Sequence, residues 1–216
     1  MEANPVLEDL TQFQTYSKLI DLTFNQYLLA GKDSLLVHTG DTQLAGQLVE
    51  GVVRALKGLP LSYIFVSHFE SDECGGLRVW LGKFPQARVV CSEVTARQLS
   101  GFDMTTNVVI KKPGETLEAD GFELELVSYP SEMHLWEGLL AFERRRRVLF
   151  SSDLLIRKGR PAQTVVPAAW DEEVQRITAM QIPGPEARSA VQTSLRRLPV
   201  DFVAPGHGPI LRMTSQ

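Results

Sequence analysis

Cysteine is almost missing from this chain: Cys74 and Cys91 are its only two in 216 residues, too few for the disulfide frameworks that hold small secreted domains together. Long apolar runs are missing too. No window approaches the ~18 uninterrupted apolar residues of a membrane helix, and no charged start, apolar stretch and small-residue cleavage site opens the chain. A cytoplasmic protein without a membrane partner is expected. Nor is there a basic excess: 22 Lys and Arg stand against 26 Asp and Glu, for a formal charge of −4, which excludes the strongly basic footprint of a nucleic-acid binder. Histidine is scarce, at four residues, and the positions of those four carry most of the functional argument.

What is present is enough for one sizeable core. The chain is 44% hydrophobic, and its length fits a single α/β-type domain spanning 1–216. Residues 23–40, TFNQYLLAGKDSLLVHTG, read as two strands around a Gly-Lys-Asp turn. Residues 41–60 place Leu44, Leu48, Val52 and Leu56 at helical spacing, with Gly58 and Pro60 as stop signals. Strands are expected at 61–68 and 88–92, with a helix at 93–102 between turn residues. From 103 onward the pattern becomes NVVI, FELELVSYP, EGLLAFE and RVLFSSD, strands joined by short turns. Helices are expected at 170–182 and 185–197, and a last strand at 201–210 runs into a Pro-Gly-His-Gly-Pro turn. Two halves that each mix strands with helices predict an α+β fold, an α/β/β/α four-layer sandwich. The charge run ERRRR at 143–147 reads as a solvated hairpin tip.

The stretch VSHFESDECGGL at 66–77 follows an apolar run and crowds acidic and metal-binding side chains together. Along an extended chain alternate side chains share a face, so His68, Glu70 and Asp72 converge if the strand continues as a stretched loop. Imidazole with carboxylate suits borderline and hard divalent metals. A satisfied polar loop is the competing explanation. The remaining histidines favour the metal. His134 follows a predicted strand, His207 sits in PGHGP, and Asp153 ends VLFSSD; a layered fold gathers such strand ends at one edge. His38, in LLVHTGD, also ends a strand and reads as a structural or outer residue rather than a ligand.

The ordered series HxExD, a lone His, LFSSD and APGHGP resembles the metallo-β-lactamase superfamily, and specifically its flavodiiron branch of oxygen-binding di-iron proteins. The resemblance runs from NQYLL to the final His. Hydrolases of that superfamily carry HxHxDH, and Glu at the third position, here Glu70, marks the di-iron members. The resemblance implies one metal held by His68, Glu70 and His134, a second by Asp72 and His207, and Asp153 bridging both. This chain departs where the family has a histidine after the Asp: it has Glu73, which the reading keeps as a ligand of a harder, more anionic second position.

Glu70, Asp72 and Asp153 bring three negative charges and Glu73 a fourth, matching two divalent ions. Such oxygen-rich ligation favours two iron ions, with manganese or zinc as substitutes, over a structural thiolate zinc. Cys74 in ECGG reads as a small, half-buried turn residue rather than a redox thiol, and Cys91 as core filling. Tyr129 and Trp136 flank His134, either excluding water or simply packing. The implied function is binding or reduction of O2 or NO, as an oxygen-binding sensor or a reductase fed by a separate electron donor. No flavin is expected within this chain, and a homo-oligomer is compatible with it. The alternative is a metal-dependent hydrolase of an ester, thioester or phosphodiester, and a scaffold with a vestigial site is a third possibility.

Overall fold

Most strands of this chain are apolar on successive residues, a pattern that needs cover on both faces. The computed structural model describes residues 1–104, 107–131 and 136–214, the side chains of Ser131, Trp136 and Glu137 excepted. The first half contains β1 (Glu2–Pro5), β2 (Leu10–Ser17), β3 (Leu22–Leu29), β4 (Ser34–Val37), α1 (Ala45–Leu56), β5 (Leu61–Phe65), α2 (Ser71–Cys74), α3 (Leu77–Lys83), β6 (Arg88–Cys91), α4 (Glu93–Gly101) and β7 (Val108–Ile110). The second contains β8 (Thr116–Ala119), β9 (Phe122–Ser131), β10 (Trp136–Glu143), β11 (Val148–Ser152), β12 (Val165–Ala168), α5 (Trp170–Gln175), α6 (Pro185–Arg196), β13 (Phe202–Pro205) and β14 (Ile210–Met213).

Two seven-stranded sheets result, in the orders β1-β2-β3-β4-β5-β6-β7 and β12-β14-β13-β11-β10-β9-β8. Between them lies a core in which Tyr27, Leu35, Phe65 and Val90 of the first sheet meet Leu124, Leu139, Phe150 and Ala204 of the second. The intervening residues point outward: Leu28, Leu36, Ile64 and Val89 pack under α1 and α3 with Leu48, Val52 and Trp80. On the opposite side Leu140, Leu149 and Val203 pack under α5 and α6 with Val174, Val191 and Leu195. In the central strands β4, β5, β6, β11 and β13, this period-2 switch between two cores is what makes the runs apolar throughout. The α/β/β/α sandwich is as expected. Among the described residues no helix is long and apolar enough to cross a membrane.

Several boundaries differ from the sequence reading. β1 and β2 were not anticipated, because β2 buries Gln12 and Gln14 and so lacks the apolar signal. The helix expected over 170–182 ends at Gln175, since Thr178 and Gln181 bond each other locally and Pro183 disfavours helix at its predecessor. The strand expected over 201–210 is two strands, β13 and β14, which run antiparallel after the chain reverses at Gly208, whose φ of +97° suits glycine. The ERRRR hairpin tip is solvated at Arg144, Arg145 and Arg147, as expected, but not at Glu143 and only in part at Arg146. Arg146 turns inward, pairing with Asp9 and with the buried Glu143.

Candidate metal centre

Three strand ends and one short helix supply the site. β5 stops at Phe65, and the chain passes through His68 to Glu70, an extended residue (φ −137°, ψ 164°) that precedes α2. Asp72 and Glu73 lie in the first turn of α2. This corrects the expectation of one stretched loop from His68 to Asp72. Acidic residues favour a helix's N-terminal turn, and the turn buries Glu73 to 1% exposure.

Across the sandwich, β11 leads into Asp153 and β13 into His207. The two strands are parallel neighbours with Ser152 opposite Pro205, so both reach the same edge. β5 is stitched to this second sheet: the Leu139 N–H donates to the Ser67 carbonyl at 2.8 Å, and the Ser67 and Ser152 hydroxyls lie 2.8 Å apart. Such an approach requires Gly138, since a Cβ there would sit 2.7 Å from Ser67 O and 3.0 Å from His68 Cβ. The first sheet in turn clamps the His207 turn. His207 Nδ1–H donates to Thr23 O at 2.6 Å and Gly208 N–H to Thr23 Oγ1 at 2.6 Å. Asn25 Nδ2 donates to Pro205 O and Gly208 O at 3.0 and 2.8 Å. With Nδ1 so engaged, His207 presents Nε2 to the site.

Asp153 stands between two imidazoles, its Oδ2 3.4 Å from His68 Nε2 and its Oδ1 3.3 Å from His207 Nε2. Glu70 Oε2 lies 3.1 Å from His68 Nε2, and Asp72 Oδ2 3.6 Å from His207 Nε2. Donor atoms of His68, Glu70 and Glu73 all fall within 4.8 Å of one another, so Glu73 joins the His68 side rather than the His207 side alone. Six of the seven expected ligands are thereby gathered at one edge. The seventh, His134, lies outside the described residues, as does the side chain of Trp136. His38 turns its Nε2 to Ser67 at 2.9 Å. Tyr129 meets His68 edge to face at 5.5 Å between ring centroids.

The electrostatics show what this assembly needs. Burial pushes the Glu73 carboxyl well above the usual carboxylate range, and the charges of Asp153 and Asp72 push it further. Burial likewise raises Asp72. Burial would raise Asp153, but the His207 imidazole beside it, with His68 and His38, leaves it lowered instead. Burial opposes charge on His207, yet Asp153 outweighs this and raises its pKa. Among the described residues, Glu73 Oε2 and Asp153 Oδ1 are buried without a well-aligned hydrogen-bond donor, although His207 Nε2 lies 3.3 Å from Asp153 Oδ1. Buried carboxylate oxygens left without donors are costly unless a cation compensates them. Four carboxylates and two imidazoles converging with two such orphaned oxygens fit a pair of divalent ions. Burial pushes the thiols of Cys74 and Cys91 up to about 12, so both are poor nucleophiles; Cys74 is fully buried rather than half-buried, its Sγ donating to Glu70 O at 3.1 Å.

A cavity of about 520 Å³ opens onto Glu70, Asp153 and His207, walled by Leu22, Leu155 and Tyr129 and rimmed by Arg157, Lys158 and Arg176. The sequence reading named the candidate ligands but missed Ser67, Ser152, Thr23, Asn25 and Gly138. Of these, Asn25, Ser67 and Ser152 lie within NQYLL, VSHFESDECGGL and LFSSD, but nothing in those stretches marks them individually.

Residues 22–208 match the ODP family beta lactamase. The chain belongs to this family. Among relatives of this ODP-family chain, the putative diflavin flavoprotein A 1 of Thermosynechococcus vestitus is 30% identical over 204 residues, covering 88% of this chain and 34% of the relative. The anaerobic nitric oxide reductase flavorubredoxin of Salmonella arizonae is 24% identical over 208 residues, covering 91% of this chain and 43% of the relative. In structure, the rubredoxin oxygen:oxidoreductase of Desulfovibrio gigas shares the fold with a TM-score of 0.80 at 17% identity, over 98% of this chain and 57% of that one. The chain thus spans less than half the length of these two curated relatives. The resemblance to the metallo-β-lactamase superfamily and its flavodiiron branch is borne out.

Proposed function

We propose that this chain holds two iron ions at the described edge and there binds or reduces O2 or NO. The first iron is assigned to His68, Glu70 and His134, the second to Asp72 and His207, with Asp153 shared. Glu73 supplies the additional carboxylate from between the two groups, and His134 enters this assignment by resemblance alone. The observation that carries the reading is Asp153 standing between His68 and His207 while its Oδ1 and Glu73 Oε2 lack well-aligned donors among the described residues. The relatives' printed activities, a nitric oxide reductase and an oxygen oxidoreductase, support the choice of diatomic.

Bound ferrous iron would supply the electrons and the open coordination positions. The protein's own residues do the remaining work. Thr23 fixes the His207 tautomer, while Leu22, Leu155 and Tyr129 line the cavity that leads to the candidate ligands. The cavity is many times the roughly 30 Å³ share of one water molecule, so a diatomic has ready access. An electron donor completes a reductase, and a signalling partner completes a sensor. The two unpaired cysteines suit a reducing, cytoplasmic setting.

Protein purified without added metal, or reconstituted anaerobically with ferrous iron, should contain about two iron ions per chain and change its visible absorption on exposure to O2 or NO. Failure to take up iron, or iron that neither changes spectrum nor oxidises, would overturn the proposal. Turnover of a thioester or phosphodiester by the zinc- or manganese-loaded protein, well above that of free metal, would replace it with the hydrolase.

A further inference from the structure

Behind His68, on the side away from Glu70 and Asp153, one buried hydroxyl joins three side chains. Ser67 Oγ lies 2.9 Å from His38 Nε2, 2.8 Å from Ser152 Oγ and 3.1 Å from His68 Nδ1. Ser152 Oγ also approaches His68 Nδ1, at 3.4 Å. None of these four residues is more than 3% exposed, so their polar atoms depend on one another. The backbone commits two of them unusually. His38 and Ser152 hold left-handed φ values of +65° and +49°, conformations that non-glycine residues keep only where the surroundings enforce them. At His38 the enforcement is visible: its N–H donates to Phe65 O, and the next residue, Thr39, donates to Glu73 O, both at 2.9 Å. The turn carrying His38 is thereby tied to two of the segments that form the site.

A hydroxyl has one proton to donate and two lone pairs with which to accept, so three partners saturate Ser67. When His68 offers its Nε2 lone pair, its ring proton must sit on Nδ1 and needs an acceptor; Ser67 Oγ is the nearer of the two hydroxyls that the described residues bring to it. The Ser152 O–H can occupy the second lone pair. The Ser67 proton is then left for His38 Nε2. Burial, reinforced by the neighbouring His68, keeps the His38 imidazole neutral down to about pH 3, so a ring lone pair is available to receive it.

We propose that His38 and Ser67 are positioning residues for the first metal position: His68 Nδ1–H donates to Ser67 Oγ, Ser67 O–H donates to His38 Nε2, and His68 is thereby locked in the tautomer whose Nε2 faces Glu70 and Asp153. The inference rests on the metal-binding reading and adds to it a residue, His38, that touches none of the ligand carboxylates.

The test uses the full chain with zinc as a diamagnetic probe ion. Ser67→Ala and His38→Leu should each weaken zinc binding about 10- to 100-fold, the usual consequence of removing an outer-sphere partner. His38→Gln, which keeps an acceptor at similar reach, should restore most of it, whereas a purely space-filling role would favour Leu. In zinc-loaded wild type, ¹⁵N-histidine spectra should place the ring proton of both His68 and His38 on Nδ1. A His38 proton on Nε2, or wild-type zinc affinity in His38→Leu, overturns the inference. If His38→Leu does not fold, the wild-type spectrum decides alone. Zinc uptake with an insensitive His38 removes this inference only; no metal uptake by wild type removes the di-iron reading and this one together.

Discussion

Glu73→Gln should change sign between the metal-free and metal-loaded protein. In the metal-free chain Glu73 is 1% exposed, its Oε2 has no well-aligned donor among the described residues, and burial with the charges of Asp153 and Asp72 holds its carboxyl well above the usual range. A carboxyl whose folded pKa exceeds its unfolded value binds its proton more tightly when folded. The metal-free fold therefore loses stability as pH rises above the ordinary value of 4.5 toward the raised one. Glutamine keeps the shape, removes the charge, and offers an amide that can donate to neighbouring carboxylates. An uncompensated buried group costs about 1–3 kcal/mol, and each kcal/mol moves the melting temperature by about 2–4 °C in a chain of this length. Metal-free Glu73→Gln should thus melt roughly 2–12 °C above wild type near neutral pH, with a flatter pH dependence above 4.5. With metal the order should invert. Ligand stabilisation grows as RT ln(1 + [L]/Kd), and a missing anionic donor raises Kd. Thermal melts in chelator and in saturating metal measure both limbs. A metal-free variant no more stable than wild type, together with an unchanged metal-induced rise, would refute the claim that Glu73 is buried for a cation.

Four further outcomes follow from the same structure. Gly138→Ala forces a Cβ to 2.7 Å from Ser67 O and should cost about 1–3 kcal/mol while loosening metal binding; calorimetry with metal titration checks both. Arg146→Ala removes the cation beside the fully buried Glu143, which keeps its backbone donors from Glu123 and residue 146, and should lower stability by about 1.5–3 kcal/mol in urea titration. Arg97→Ala breaks only an exposed pair with Glu93 and should change stability by less than about 0.5 kcal/mol. In metal-free protein His38 has its pKa lowered from 6.5 to about 3 by burial, so between those values the unfolded chain binds more protons. Stability should then fall as pH drops through that window, by up to about 1.4 kcal/mol per unit, and His38→Gln should lessen that slope in pH-dependent urea midpoints.

Strands 3, 4, 5, 6 and 11 and helix 1 were legible because their signals are local: apolar runs bounded by Gly, Asp or Pro, and Leu48, Val52 and Leu56 at helical spacing. β1 and β2 were not, because β2 buries amides whose partners lie elsewhere; the Gln14 Nε2–H bonds Asn25 Oδ1 on the neighbouring strand at 2.9 Å. The candidate ligand set was legible for a related reason. His68, Glu70, Asp72, Asp153 and His207 each follow a strand or open a helix, so their place at an element end could be read without knowing what lay opposite. The burial of Glu73 could not, since it depends on a helical turn at Ser71 that competes with an extended continuation.

The sequence by itself determined which side chains stand at strand ends, and so the chemistry available at one edge of a layered fold. Only the tertiary structure decided how they are aimed: Thr23 orients His207 across 184 residues of chain, and His38 meets Ser67 across 29. Periodicity reports which residues share a face with their own neighbours, whereas a hydrogen bond selects whichever partner folding brings within about 3 Å.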